Sequence, residues 1–218
     1  MEVVYTQTNE NLNAIIAGLV PIPEDTILAV GGSGDQAFAL LEFAGRVKVV
    51  DKDHSQTEYI RKRAEALRLR DYASFRRNAN SSLYFFENKN RLERIRERLD
   101  HLAIAESADI VQIAPQEESY SKAYLSNAIG FPVAFNGGKI IRSLDAVAQK
   151  LTTGGLIYVA NHWELINAAM PSTLLLARED ILMIKSFLPQ GLELDRALSK
   201  AARKYESEGW TPAVYRKI

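Results

Sequence analysis

The sequence predicts an α/β domain, a mostly parallel sheet of seven strands with helices on both faces. Three observations carry that expectation. Strand-like apolar runs alternate with amphipathic helical runs along the chain, the pattern that builds a parallel sheet covered on two sides. The first run, Thr26 to Val30, enters the glycine-rich turn Gly31-Gly32-Ser33-Gly34 and passes straight into a helical pattern. The next run, Arg46 to Val50, closes on a carboxylate, Asp51.

The elements follow in order. Residues 9–19 read as a helix, with Leu12, Ile15, Ile16 and Leu19 on one face. Pro21 and Pro23 end it, so residues 1–24 form an N-terminal helical cap. Strand one spans 26–31. A helix over 35–44 buries Ala37, Phe38, Leu40, Leu41 and Phe43. Strand two is 46–51. The helix over 56–68 is opened by Ser55 and Glu58 in capping-box spacing. A basic stretch from Arg68 to Arg77 follows, with Tyr72 and Phe75 inside it; it reads as a solvated helix face or as a site for phosphates or lipid headgroups. A helix at 90–99 turns Leu92, Ile95 and Leu99 inward.

Strand three, Leu102 to Glu106, precedes Asp109, and strand four, near 121–125, ends at Ser126-Asn127. Gly137-Gly138 breaks the chain before a helix at 140–151, and Gly154 to Ala160 is strand five. Residues 173–188 fit helix or strand, since an apolar run alone does not choose. Residues 193–206 read as a helix and Trp210 to Ile218 as a closing strand. No repeat, low-complexity segment or linker interrupts residues 1–218, so one domain is expected.

Composition narrows the function. The chain carries 27 basic and 27 acidic residues, so no global field favours nucleic acid, and none is expected as a partner. Having no cysteine, it has no disulfide, thiolate metal site or thiol nucleophile. The polar start from Tyr5 to Asn11 is no secretory signal, and no apolar run approaches the ~20 residues that span a bilayer. A cytoplasmic protein is expected; peripheral membrane contact and a homodimer stay open. His54, His101 and His162 have no metal-ligand spacing, so no metal site is expected.

Gly32-Ser33-Gly34-Asp35-Gln36-Ala37 matches the G-x-G-x-x-G/A fingerprint of dinucleotide sites, with Asp51 where a ribose-binding acid belongs. This is a Rossmann-like β-α-β unit. Two cofactors compete for it. A nicotinamide dinucleotide needs an anion site, and Asp35 in the first helical turn would repel a pyrophosphate if it pointed into the loop. S-adenosylmethionine also sets its ribose against an acid ending strand two and has no pyrophosphate. Gly31, Gly32 and Gly34 would keep side chains away from the cofactor, and Ser33 would add a hydrogen bond. Asp51 would accept from both ribose hydroxyls, and Lys52 would lie beside the adenine. Ser126 and Asn127 end strand four, where open α/β sheets place ligands. Asn127 could hold the methionine carboxylate or the acceptor. His162, after strand five, is the one candidate general base.

The succession from 26 to 160 resembles a class I S-adenosylmethionine-dependent methyltransferase. Within that superfamily the chain is most similar to the diacylglycerol 3-amino-3-carboxypropyl transferases of betaine-lipid synthesis. That likeness lies in Ser33-Gly34-Asp35 with Ala37, in Asp51 with Gln56, and in Tyr124-Leu125-Ser126-Asn127. Leu151 to Leu156 resembles the superfamily's turn into strand five. The resemblance implies that Asp109 accepts from the adenine amino group. Many superfamily members carry an acid two residues before the first loop glycine, where this chain has Ala29. Contacts to the methionine amino group would then fall to Asp35 or to the polar start. The expected activity is S-adenosylmethionine-dependent transfer, of a methyl group to a small molecule or lipid headgroup. The alternatives are 3-amino-3-carboxypropyl transfer, a non-catalytic cofactor-binding module and a nicotinamide oxidoreductase.

Overall fold

The computed structural model describes residues 3–76, 82–88, 90–126, 128, 144–160, 190–207 and 210–218. Helix α1 (Leu12–Leu19) leads into β1 (Thr26–Val30), α2 (Asp35–Leu41), β2 (Arg46–Val50) and α3 (His54–Arg68). Three short helices follow, α4 (Tyr72–Arg76), α5 (Ser82–Phe86) and α6 (Arg91–Glu97), then β3 (Leu102–Ile104), α7 (Ile110–Ile113) and β4 (Tyr120–Tyr124). A helical stretch at 144–148 precedes β5 (Leu151–Val159). The chain closes through β6 (Leu192–Leu194), α8 (Arg196–Arg203) and β7 (Ala213–Lys217).

The seven strands form one sheet in the order β3-β2-β1-β4-β5-β7-β6. The first five are parallel neighbours. The sheet is nonetheless mixed, because β7 runs antiparallel to both β5 and β6. Strand alternation sorts the core into two layers. Ile27 and Ala29 of β1, Tyr124 of β4 and Tyr158 of β5 join a cluster with α1, α2, α3 and α6. Leu28, Ala123, Ile157 and Val159 point the other way, toward α7 and the 144–148 helix. This is the period-two pattern of a sheet buried on both faces.

Local chemistry sets the helix starts. Asn11 caps α1, its side chain accepting from Asn13 N–H at 2.9 Å. Asp53, not Ser55, caps α3: its carboxylate takes both the backbone N–H and the hydroxyl of Ser55 at 2.8 Å. The capping-box expectation therefore placed that helix start two residues late, since a carboxylate was free to cap first. Asp195 caps α8, its carboxylate accepting from Leu198 N–H at 3.0 Å, and β6 before it overlaps the start of the helical expectation over 193–206. Strand three is shorter than expected, and strand five begins three residues earlier, at Leu151. Residues 173–188 and 140–143 lie outside the described residues.

The basic stretch is an ion-paired face over a buried ring. Arg68 meets Glu65 and Asp100, Arg70 meets Glu93, and the Arg76 guanidinium lies 3.5 Å from the Phe86 ring centroid. Phe75, within the stretch, is buried against Phe38 and Phe85. Arg77 is outside the described residues.

Candidate functional site

The parallel strands bring their carboxyl ends to one edge of the sheet. At β1 and β4 the following helices leave to opposite faces, which opens a crevice between them. A cavity of about 350 Å³ lies there, within the ~300–1,000 Å³ of small-molecule sites.

The β1 loop forms its floor. Gly31 N–H bonds Val50 C=O at 2.9 Å, and Gly34 N–H closes the turn on Gly31 C=O at 2.8 Å. Each glycine has its own reason. A Cβ on Gly31 would sit 3.0 Å from the Asp51 Cβ, so this glycine lets the acid approach the loop. Gly34 caps α2 at φ +85°, with Ile60 2.9 Å from where its Cβ would be. Gly32, at φ +48°, faces open space: a Cβ there would meet no atom within 4 Å. Of the three, only Gly32 lines the cavity, together with Ser33.

Asp51 ends β2 beside that open space and lines the cavity with Lys52. Its Oδ2 accepts from Gly32 N–H at 2.8 Å and its Oδ1 from Asp53 N–H at 2.9 Å. Burial pushes its carboxyl above the usual range, and the two N–H donors only partly offset that. The segment after β3 is tied to the same strand end: Ala108 N–H donates to Asp51 C=O at 2.9 Å, and the Ser107 hydroxyl to Lys52 C=O. Asp109 lines the cavity and also caps α7, accepting from Val111 N–H at 2.9 Å. Ser126, at φ +51°, follows β4 and lines the cavity with Tyr124. Asn127 and His162 lie outside the described residues. His54 and His101 are exposed and away from the cavity.

Asp35 corrects the sequence reading. It does not line the cavity; it is fully buried beneath the loop. Its Oδ1 pairs with Arg63 at 2.8 Å, and its Oδ2 accepts from Thr8 N–H and the Ser33 hydroxyl. Arg63, 2 % exposed, also donates to Ser33 C=O at 2.7 Å and lies against the Phe75 ring. With its charge matched there, Asp35 presents no carboxylate to the cavity. The signal for Arg63 was in the sequence: it shares the apolar face of α3 with Ile60, Ala64 and Leu67.

The polar start, the other candidate for the methionine end, forms the roof. The segment from Tyr5 to Glu10 passes over the crevice, and all of it but Thr6 lines the cavity. The Gln56 side chain accepts from Val4 and Tyr5 N–H and donates to the carbonyls of Tyr5 and Gly32. Gln36 bonds Thr8, and the Tyr59 hydroxyl donates to Thr6 C=O. Glu10 is the innermost residue of this strap. It is 6 % exposed, accepts from the Ser126 hydroxyl, and has one carboxylate oxygen that makes no hydrogen bond among the described residues. Burial raises its pKa to about 7, against the smaller downward pull of Ser126 and Tyr124; the carboxylate of Glu206 adds to the rise.

The reversed β7 decides the fold. A dinucleotide-binding sheet runs 3-2-1-4-5-6, whereas here an antiparallel strand stands between β5 and β6. Solved structures share this architecture. The N-methyltransferase NodS from Bradyrhizobium japonicum WM9, in complex with S-adenosyl-L-homocysteine, is similar with a TM-score of 0.55 at 11% identity, over 96% of this chain and 89% of that one. A putative rRNA methylase from Clostridium thermocellum is similar with a TM-score of 0.53 at 13% identity, over 94% and 95%. The chain shares the fold of these solved methyltransferases. No protein-family model matches the sequence, and no curated protein matches it closely enough to count as a relative. Within this methyltransferase fold, the cavity occupies the carboxyl ends of β1 to β4. Among the described residues no helix is long and apolar enough to cross a membrane, and no cluster of three or more His, Cys, Asp or Glu could hold a metal.

Proposed function

We propose that this chain binds S-adenosylmethionine in the crevice and transfers a methyl group from it to a small molecule or lipid headgroup. The observation that carries the reading is Asp51. It is a partly buried carboxylate, held by two backbone N–H groups beside the open space over Gly32, in a fold of the methyltransferase type. Such a carboxylate suits two adjacent ribose hydroxyls, which replace lost water with donors. Ala108 to Ile110 would flank the adenine, and the β4 end with the strap would take the methionine portion. Bound there, S-adenosylmethionine supplies a sulfonium whose carbons are open to displacement. The chain's own contribution is positioning, worth roughly 7–11 kcal/mol when the reacting atoms are well aligned. The strap limits water over the reacting end. The balanced charge, 27 against 27, supports a small acceptor over a polyanion.

A second reading, 3-amino-3-carboxypropyl transfer, is favoured by one observation. Tyr124 and Ser126, in the stretch that resembles the aminocarboxypropyl transferases, both line the cavity. By-products separate the two: S-adenosylhomocysteine after methyl transfer, methylthioadenosine after aminocarboxypropyl transfer.

Calorimetry tests the shared premise. Asp51→Ala should weaken S-adenosylmethionine binding about ten-fold or more, because a charge-assisted hydrogen bond is worth ~1.5–3 kcal/mol. Unchanged affinity would remove Asp51 from the ribose. If NADH protects the fold against heat and S-adenosylmethionine does not, a nicotinamide enzyme replaces this reading.

A further inference from the structure

We infer that Glu10 is the acid that receives the α-ammonium of the methionine portion of S-adenosylmethionine. The inference rests on the proposed cofactor and assigns a residue that the β1 strand lacks. An ammonium needs an anion with a free acceptor atom. The position before the loop that could supply one is Ala29, which has no polar atom. The acid inside the loop, Asp35, is spent on Arg63, Thr8 and Ser33. Among the described residues, the cavity-lining acids that remain are Asp51, Asp109 and Glu10. Asp51 and Asp109 stand at the ends of β2 and β3, on the adenosine side. Glu10 stands at the end of β4, hydrogen-bonded to Ser126.

Two features of Glu10 ask for a cation that donates hydrogen bonds. First, among the described residues its neighbours are Ser126, Tyr124 and a second acid, Glu206, with no lysine or arginine. A buried carboxylate without a counter-charge is costly. Second, beyond the hydroxyls of Ser126 and Tyr124 it meets no donor among the described residues, and one of its buried oxygens makes no hydrogen bond. A sulfonium would supply charge but no N–H, whereas an ammonium supplies both. The strap is held in place without Glu10, through Gln56, Gln36 and Tyr59. The carboxylate is therefore not needed to fix its own backbone.

The test is calorimetric binding of three nucleosides to the wild-type chain and to Glu10→Gln, which keeps an oxygen for the Ser126 hydroxyl. S-adenosylmethionine and S-adenosylhomocysteine both carry the ammonium, and methylthioadenosine does not. Glu10→Gln should weaken the first two alike, by about ten-fold or more, and leave methylthioadenosine unchanged, which also reports an intact site. Weakening of S-adenosylmethionine alone would assign Glu10 to the sulfonium and overturn the inference. Equal weakening of all three would make Glu10 a structural residue, and no weakening would exclude the contact; either result overturns it. Glu10→Asp, which keeps the charge on a shorter arm, should recover part of the lost affinity. If the wild-type chain bound none of the three, the cofactor reading itself would fall, a result separate from all of these.

Discussion

Asp35 and Asp51 are both aspartates of the β1–β2 unit, yet their surroundings give them opposite work. Asp35 is fully buried against Arg63, whose guanidinium has no water to turn to. Removing one partner of such a pair leaves an unmatched buried charge. Asp35→Ala should therefore cost about 3–5 kcal/mol in urea unfolding, and a loss under ~1 kcal/mol would mean that Arg63 finds another partner. Asp51 is a surface of the cavity, and its loss should register in binding first. The motif alone did not separate them. Both are acids near glycines, and only the burial of Arg63 on α3 shows which one is neutralised.

At the scale of elements, the strap and α3 act together. The Gln56 amide makes four hydrogen bonds, at 2.7–3.0 Å, to the backbone of Val4, Tyr5 and Gly32. It couples the roof of the cavity to its floor, while its own helix is capped independently by Asp53. Gln56→Ala should leave α3 protected from hydrogen exchange but speed exchange at the Val4 and Tyr5 amides by about ten-fold or more. Unchanged protection at both amides would show that other contacts hold the strap. The segments read as β1, α2, β2 and α3 were legible from hydrophobic period and turn chemistry. β6 was not, because three residues are too few for a period. The polar start was marked as a candidate, but its path as a strap was not legible, because its hydrogen bonds to Gln56 span about 50 positions.

For the molecule as a whole, the site sets a pH dependence. Burial lifts Glu10 from its ordinary 4.5 to about 7, so the folded chain keeps a proton that the unfolded chain releases between those values. Stability linked to this group is fully present below about pH 4.5 and is lost as pH rises through about 7, with an upper size near 3 kcal/mol. Glu206 and Asp51 are raised by burial too and act with the same sign. Thermal melts should therefore show Glu10→Gln gaining on the wild type from pH 5 to pH 8. A constant difference across that range would mean that Glu10 ionises normally in the folded chain.

The sequence by itself determined the α/β alternation, the glycine turn after β1 and the acid closing β2. Each of these is a local matter of period, φ angle or chain position. Tertiary structure decided which acids remain available to a ligand, since that depends on partners brought from α3, from the N-terminal strap and from β4. It also decided the direction of β7, because pairing sense is a property of neighbouring strands and not of any one of them.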